Sequence, residues 1–386
     1  MRLDPADVAL CVADDGPPTA SGARPVATPI VQTSLFAHPD LDSLADALAA
    51  EHASHVYTRG QNPTVEALER KLALLEGGEA CKAFASGMAA VSAVLMGLLE
   101  AGDHVLFVNH TYGPTLQLAE HLGRFGITHS TVLDVGPEAV AAALRPDTKL
   151  IWLESPGTML FRLVDVAAVA VLARKRGVLT CMDNSWATPL LQKPLALGVD
   201  LVVHSATKYL GGHSDVVAGA VVTSAERLRR IFYRAYLLNG GALAPFDAFL
   251  VLRGLRTLPV RLRQHEADAL EVARYLETHD AVAAVHHPAL REPELAARQM
   301  AGTSGLFSFE LADAAYARVR RFIDALAHFR IGVSWGGVES LVITPSREDN
   351  AAALAARGIP PGLVRLSVGL EGAELLIADL DQALSF

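Results

Sequence analysis

An α/β chain is predicted, with a large domain built on a mostly parallel sheet and a smaller α+β domain at its C-terminal end. Three observations lead there. The 386 residues exceed the roughly 100–200 of a usual single domain. From about residue 61 to 250, short β-prone runs alternate with helical patterns, as in parallel sheets covered on both faces. Beyond 250 the alternation stops, and long helical patterns flank short strands.

Taken in order, residues 1–60 read as an arm reaching a neighbouring subunit. Pro17, Pro18, Pro25 and Pro29 favour extended backbone, and only the short helical stretch Leu41–Glu51 follows. Residues 61–250 form the ligand-binding domain. Thr64–Glu76 carries Val65, Leu68, Leu72 and Leu75 at helical spacing and is closed by Gly77-Gly78. Ala83–Phe84 is a short strand and the Ala-rich Met88–Leu99 a buried helix. His104–Val108, Leu150–Leu153, Val178–Met182, Leu201–His204 and Val216–Val222 are further strands. In residues 251–386 the helices Leu258–Thr278 and Ala314–Ala327 flank strands such as Leu306–Glu310 and Leu341–Thr344.

Composition narrows the function classes. A net charge of −9 with no dense Lys/Arg run argues against a nucleic-acid surface, so an acidic substrate needs local arginines. Cys11, Cys81 and Cys181 are scattered without CxxC spacing, neither a disulfide framework nor a metal site. Residues 1–20 lack the apolar core of a signal peptide, and Met88–Leu99 is too short to span a bilayer. A soluble cytoplasmic protein, without a metal site or membrane span, is expected.

Three segments carry the chemistry. Lys208, in Ser205-Ala206-Thr207-Lys208, follows a strand's carboxyl end, where it can form a Schiff base while Ser205 and Thr207 hold an anion. Asp183 ends the preceding strand, so two adjacent parallel strands bring it to the same crevice. Ser86-Gly87-Met88 opens the Ala-rich helix, whose unpaired first-turn amides suit a phosphate. Singly, these also read as a surface lysine, a helix N-cap and an ordinary helix start. Together and in this order they suit pyridoxal 5'-phosphate (PLP), which needs a lysine for its aldehyde, a carboxylate for its ring nitrogen and a phosphate cradle. No GxGxxG or GxxxxGK[ST] fingerprint supports a nicotinamide or nucleoside triphosphate reading.

The longer blocks extend this to a family. Asp183-Asn184-Ser185-Trp186, Ser205-Ala206-Thr207-Lys208-Tyr209 and Gly212-His213-Ser214-Asp215 form one. Tyr57-Thr58-Arg59, Glu154-Ser155-Pro156, Ser334-Trp335-Gly336-Gly337-Val338-Glu339-Ser340-Leu341 and Arg365-Leu366-Ser367-Val368-Gly369 complete the set. From about Thr28 onward the chain resembles the Cys/Met-metabolism PLP enzymes, which include cystathionine β-lyase and cystathionine γ-synthase. The resemblance implies the aspartate-aminotransferase-like fold (fold type I), with Lys208 and Asp183 as cofactor lysine and ring-nitrogen partner. It makes Ser86, Gly87, Met88, Ser205 and Thr207 the phosphate site, with Tyr57 and Arg59 supplied by a neighbouring subunit, hence a dimer at least and usually a tetramer. Tyr112 matches the tyrosine stacked on the ring. Arg365 matches the arginine for the substrate's α-carboxylate, with Ser334 and Trp335 beside it.

Gly157-Thr158 after Pro156, together with Trp186 and Trp335, are similar to bacterial cystathionine β-lyases. That points to β-elimination of L-cystathionine to homocysteine, pyruvate and ammonia, in trans-sulfuration and methionine biosynthesis. A γ-synthase or γ-lyase sibling is the alternative; a PLP-binding regulator without catalysis and a nicotinamide oxidoreductase are remoter ones.

Overall fold

The computed structural model describes all residues except 14, 15, 17, 19, 20 and 386; Pro17 of the proline-rich opening thus lies outside the described residues. Seven strands form the large sheet: β1 (Ala80–Phe84), β2 (His104–Val108), β3 (Thr128–Val132), β4 (Thr148–Glu154), β5 (Leu179–Asp183), β6 (Leu201–His204) and β7 (Gly219–Thr223). Their order is β1-β7-β6-β5-β4-β2-β3. The pairs from β6 to β3 are parallel, and β7 runs antiparallel to both its neighbours.

The sheet is buried on both faces, which is why its central strands read as continuous apolar runs. The helix Gly87–Leu98 covers one face, packing with Phe107, Trp152, Leu201 and Val221. On the other, the helices Pro63–Glu76 and Val166–Arg176 cover Val202, Ile151 and Leu153. The edge strand β3 was not anticipated. Its residues Thr128 to Val132 are mostly polar and none is fully buried, so no apolar period marks it.

A second sheet of five strands is built from β8 (Val282–His286), β9 (Leu306–Leu311), β10 (Arg330–Ile331), β11 (Leu341–Ile343) and β12 (Leu363–Ser367), ordered β10-β11-β12-β9-β8. The predicted helix over 258–278 begins earlier, at Pro245, and runs unbroken to Glu277. The expected change of texture at 250 therefore falls inside one helix. Pro259 reads as a breaker in the sequence. Here Arg261 Nη2 (2.8 Å) and Thr257 Oγ1 (3.2 Å) donate to the Gly254 carbonyl one turn before it. These bonds brace the turn before Pro259, whose missing amide leaves the Leu255 carbonyl without its helical donor.

At the chain's opening, the helix Pro5–Val12 buries Cys11 against the chain's own body. Further on, Leu35, Leu41 and Leu48 are exposed. No helix among the described residues is long and apolar enough to cross a membrane.

Near the strand tips the backbone is packed without room for side chains. A Cβ on Gly219 would lie 2.2 Å from the Ser86 carbonyl oxygen, and one on Gly87 would lie 2.8 Å from Ser205 Oγ. The start of helix Gly87–Leu98 thus meets β7 backbone to backbone, and Gly87 lies against the Ser205 side chain just past β6. Replacing Gly219 by alanine is expected to lower unfolding stability by about 1–3 kcal/mol through overpacking, measured as a reduced denaturant midpoint. An unchanged midpoint would show that this contact has slack.

Candidate active site

Two neighbouring strand tips set the site. Asp183 ends β5 and pairs in register with Val203 of β6, so the chain leaving β6 emerges beside the carboxylate. It turns at once, the Lys208 amide donating to the Ser205 carbonyl at 3.1 Å. Ser185 ties the two tips together. Its amide donates to Asp183 Oδ1 at 3.0 Å, and its hydroxyl accepts from the Ser205 amide at 2.6 Å. Burial pushes the Asp183 carboxyl above the usual carboxylate range, opposed by the Ser185 hydrogen bonds and by the charges of His204 and Lys208.

The Lys208 amine is held by the loop between β10 and β11. Nζ donates to Ser334 Oγ at 2.5 Å and lies 5.4 Å from the centre of the Trp335 ring. Burial, then the Arg365 charge, pulls its pKa down to about 8, against the opposing effect of Asp183. Ser334 has φ +79 and Gly336 φ +85. A Cβ on Gly336 would come 2.8 Å from the Tyr209 amide, so this loop rests on the lysine's own backbone. Left-handed backbone at a non-glycine such as Ser334 costs of order 1–3 kcal/mol and persists where the surroundings impose it.

Arg365 lies on β12, and burial lowers its pKa to about 10. No carboxylate of the described residues is within ion-pair distance of it. Tyr112, half-exposed, is close enough for its phenol to act on Arg365 electrostatically. Its amide donates to Glu154 Oε1 at 2.7 Å. Burial and then the Asp183 charge keep the Glu154 carboxyl well above the ordinary range.

Sequence reasoning quoted Glu154 only as part of a motif and missed Asn109. Asn109 Nδ2 donates to the carbonyls of Glu154 (3.1 Å) and Arg162 (2.8 Å), locking the ends of β2 and β4 around Tyr112. Trp186 is not at the site. It is buried in the core and donates from Nε1 to the Leu306 carbonyl at 2.9 Å.

The helix start completes the crevice. Ser86 Oγ caps the Ala89 amide at 3.0 Å, and the Ala90 amide bonds the Ser86 carbonyl. No hydrogen bond within the described residues engages the Gly87 and Met88 amides. Ser205 Oγ lies against Gly87. Thr207 Oγ1 both donates to the Ala218 carbonyl (3.1 Å) and accepts from its amide (3.0 Å). Tyr57 and Arg59 stand apart. The Arg59 guanidinium sits 5.4 Å from the Tyr57 ring centre, and both line an open groove with Thr33, Ser34 and Ala244. No hydrogen bond or ion pair among the described residues joins them to the crevice.

Free amides beside hydroxyls suit a phosphate, a buried carboxylate suits a protonated ring nitrogen, and an amine near neutrality suits an aldehyde. The donor set fits PLP. Residues 12–385 match the family model described as Cys/Met metabolism PLP-dependent enzyme.

The chain belongs to that family. Cystathionine gamma-lyase of Bacillus subtilis (strain 168) is 42% identical over 367 residues, covering 93% of this chain and 94% of the relative. Cystathionine beta-lyase of Lactococcus lactis subsp. cremoris (strain MG1363) is 40% identical over 369 residues, covering 93% and 94%. The crystal structure of cystathionine gamma synthase from Xanthomonas oryzae pv. oryzae, in complex with aminoacrylate and cysteine, has a TM-score of 0.90 at 41% identity, covering 98% of this chain and 97% of that one. The protein is thus a PLP-dependent enzyme of a Cys/Met-metabolism lyase family with the expected fold. Identity does not separate β-acting from γ-acting relatives.

Only a neutral amine attacks an aldehyde. The rate at which cofactor-free protein takes up PLP is therefore expected to rise about tenfold per pH unit below pH 8 and to level off above it. Stopped-flow visible absorbance follows the uptake. A rise continuing to the ordinary lysine value of 10.5 would contradict the lowered pKa.

Proposed function

We propose that this enzyme is a carbon–sulfur lyase of the cystathionine β-lyase type, converting L-cystathionine to homocysteine, pyruvate and ammonia. One observation carries the reading: the Lys208 amine is restrained by Ser334 and the Trp335 ring, in a crevice that also holds Asp183 and an unpaired Arg365. When bound, PLP supplies an electron sink for the charge that develops at the substrate's Cα. Lys208 would hold the cofactor's aldehyde and, once the substrate's amine has displaced it, would be the base that removes the Cα proton, its lowered pKa favouring the neutral form. Asp183 holds a proton at the ring nitrogen.

Arg365 binds the substrate's α-carboxylate. A half-buried guanidinium with no carboxylate in ion-pair distance among the described residues gains most from a planar anion. The amides of Gly87 and Met88, with Ser86, Ser205 and Thr207, hold the phosphate. Tyr57 and Arg59 serve the phosphate of a neighbouring subunit, which fits their exposure and their separation from this chain's own crevice. The working unit is then a dimer, assembled as a homotetramer. Tyr112 covers the ring and exchanges protons with the substrate.

The β-elimination reading rests on the lysine's confinement. Breaking a bond at Cβ needs one proton removed, at Cα. Breaking one at Cγ needs a second removal at Cβ, so the base has to travel. Ser334 and the Trp335 ring limit that travel. The cysteines, all free and buried, fit a reducing compartment such as the cytoplasm. With L-cystathionine as substrate, the purified enzyme is expected to release pyruvate and homocysteine in equal amounts. Release of 2-oxobutyrate and cysteine would assign it to γ-elimination.

A further inference from the structure

Behind the crevice lies a buried polar cluster to which the reaction above gives no role. Glu76, the last residue of helix Pro63–Glu76, has its side chain 0% exposed, as does its partner His204. Glu76 Oε1 accepts from His204 Nε2 at 2.5 Å and from Asn184 Nδ2 at 2.9 Å. Asn184 follows Asp183 in the chain, and His204 precedes Ser205. One oxygen thus bridges the two strand tips that carry the ring-nitrogen carboxylate and the cofactor lysine.

Ser185 and the Asn184 amide, which donates to the Val203 carbonyl at 2.9 Å, also join these tips, but at the His204 ring the bridge has no second partner among the described residues. His204 Nδ1 and Asn184 Oδ1 have no partner, so Glu76 supplies the one hydrogen bond to the His204 ring among the described residues. Asn184 Nδ2 has longer contacts, at 3.1 and 3.3 Å, with the carbonyls of Gln192 and Thr188. A buried donor left without its acceptor carries a desolvation cost, which movement of the group toward another acceptor relieves. Here such movement displaces Asp183 and Ser205 directly.

We propose that Glu76 is a positioning residue of the cofactor site, its Oε1 clamping Asn184 and His204 so that Asp183 and Lys208 stay at the spacing one PLP ring requires. This rests on the cofactor roles of Asp183 and Lys208 proposed above. What it requires is an acceptor at that point, not a charge. Glutamine at 76 keeps the acceptor, whereas methionine removes it at similar length.

The test is the rate at which the loaded enzyme releases PLP to an excess of a trapping apo-protein, followed with the thermal midpoint of each cofactor-free variant. Glu76→Met is expected to speed release about tenfold or more, the equivalent of one lost buried acceptor, and Glu76→Gln to stay within about twofold of the parent. Asn184→Ala, which cuts one arm of the clamp, is expected to speed release as well, and it decides the matter if Glu76→Met does not fold. Parental release in the folded variants overturns the proposal. So does a Glu76→Gln that loses PLP as fast as Glu76→Met, since charge would then be the requirement. A lower midpoint with unchanged release assigns the cluster to folding alone and also overturns it. Borohydride trapping of the parent separates the two readings. If PLP is not found on Lys208, the cofactor roles fail as well; if it is, a negative result touches Glu76 alone.

Discussion

The parallel pairing of β5 with β6 is the constraint on which the site depends. Adjacent strands lie about 4.8 Å apart, and the register of Asp183 with Val203 brings a carboxylate and a lysine-bearing turn to neighbouring exits. A slip of one residue would send Asp183 to the opposite face of the sheet. Much of the surrounding structure guards this register: Ser185 ties the tips on one side, and Gly87 and Gly219 allow helix and strand to close in without intervening side chains.

The site gathers groups that are costly when empty. Lys208, Asp183 and Arg365 are largely buried, and each has its pKa moved by burial toward the neutral form. Bringing such groups together opposes folding. Ligands that complement them recover that energy, so on the proposed roles the cofactor and the substrate's carboxylate would stabilise the protein as they bind. The same burial pulls the Lys208 pKa down to about 8, which suits the attachment and proton-transfer roles proposed for it.

Legibility in the sequence followed the physics of each element. The central strands and the helix Pro63–Glu76 were readable because they are buried and carry plain apolar patterns. The polar edge strand β3 was not, and the long helix that begins at Pro245 was read only from Leu258 onward. Lys208, Asp183 and the helix start at Ser86 were readable as residue types at strand ends. Arg365 was found only through the family resemblance, since it comes from the second sheet. Glu154, Asn109 and Glu76 act through hydrogen bonds that span 42, 45 and 108 residues, and no local pattern encodes such pairs. Trp186, which resembles the β-lyases at that position, is a core residue bonded to the Leu306 carbonyl, a contact 120 residues away that no local pattern encodes.

The central claim is that one PLP ring is attached at the tip of β6, facing Asp183. Reduction of the loaded enzyme with borohydride, followed by proteolysis and mass spectrometry, reads the attachment directly. The account predicts a single phosphopyridoxyl peptide, modified at Lys208. Label on another lysine, such as the buried Lys82 or Lys71, would contradict it.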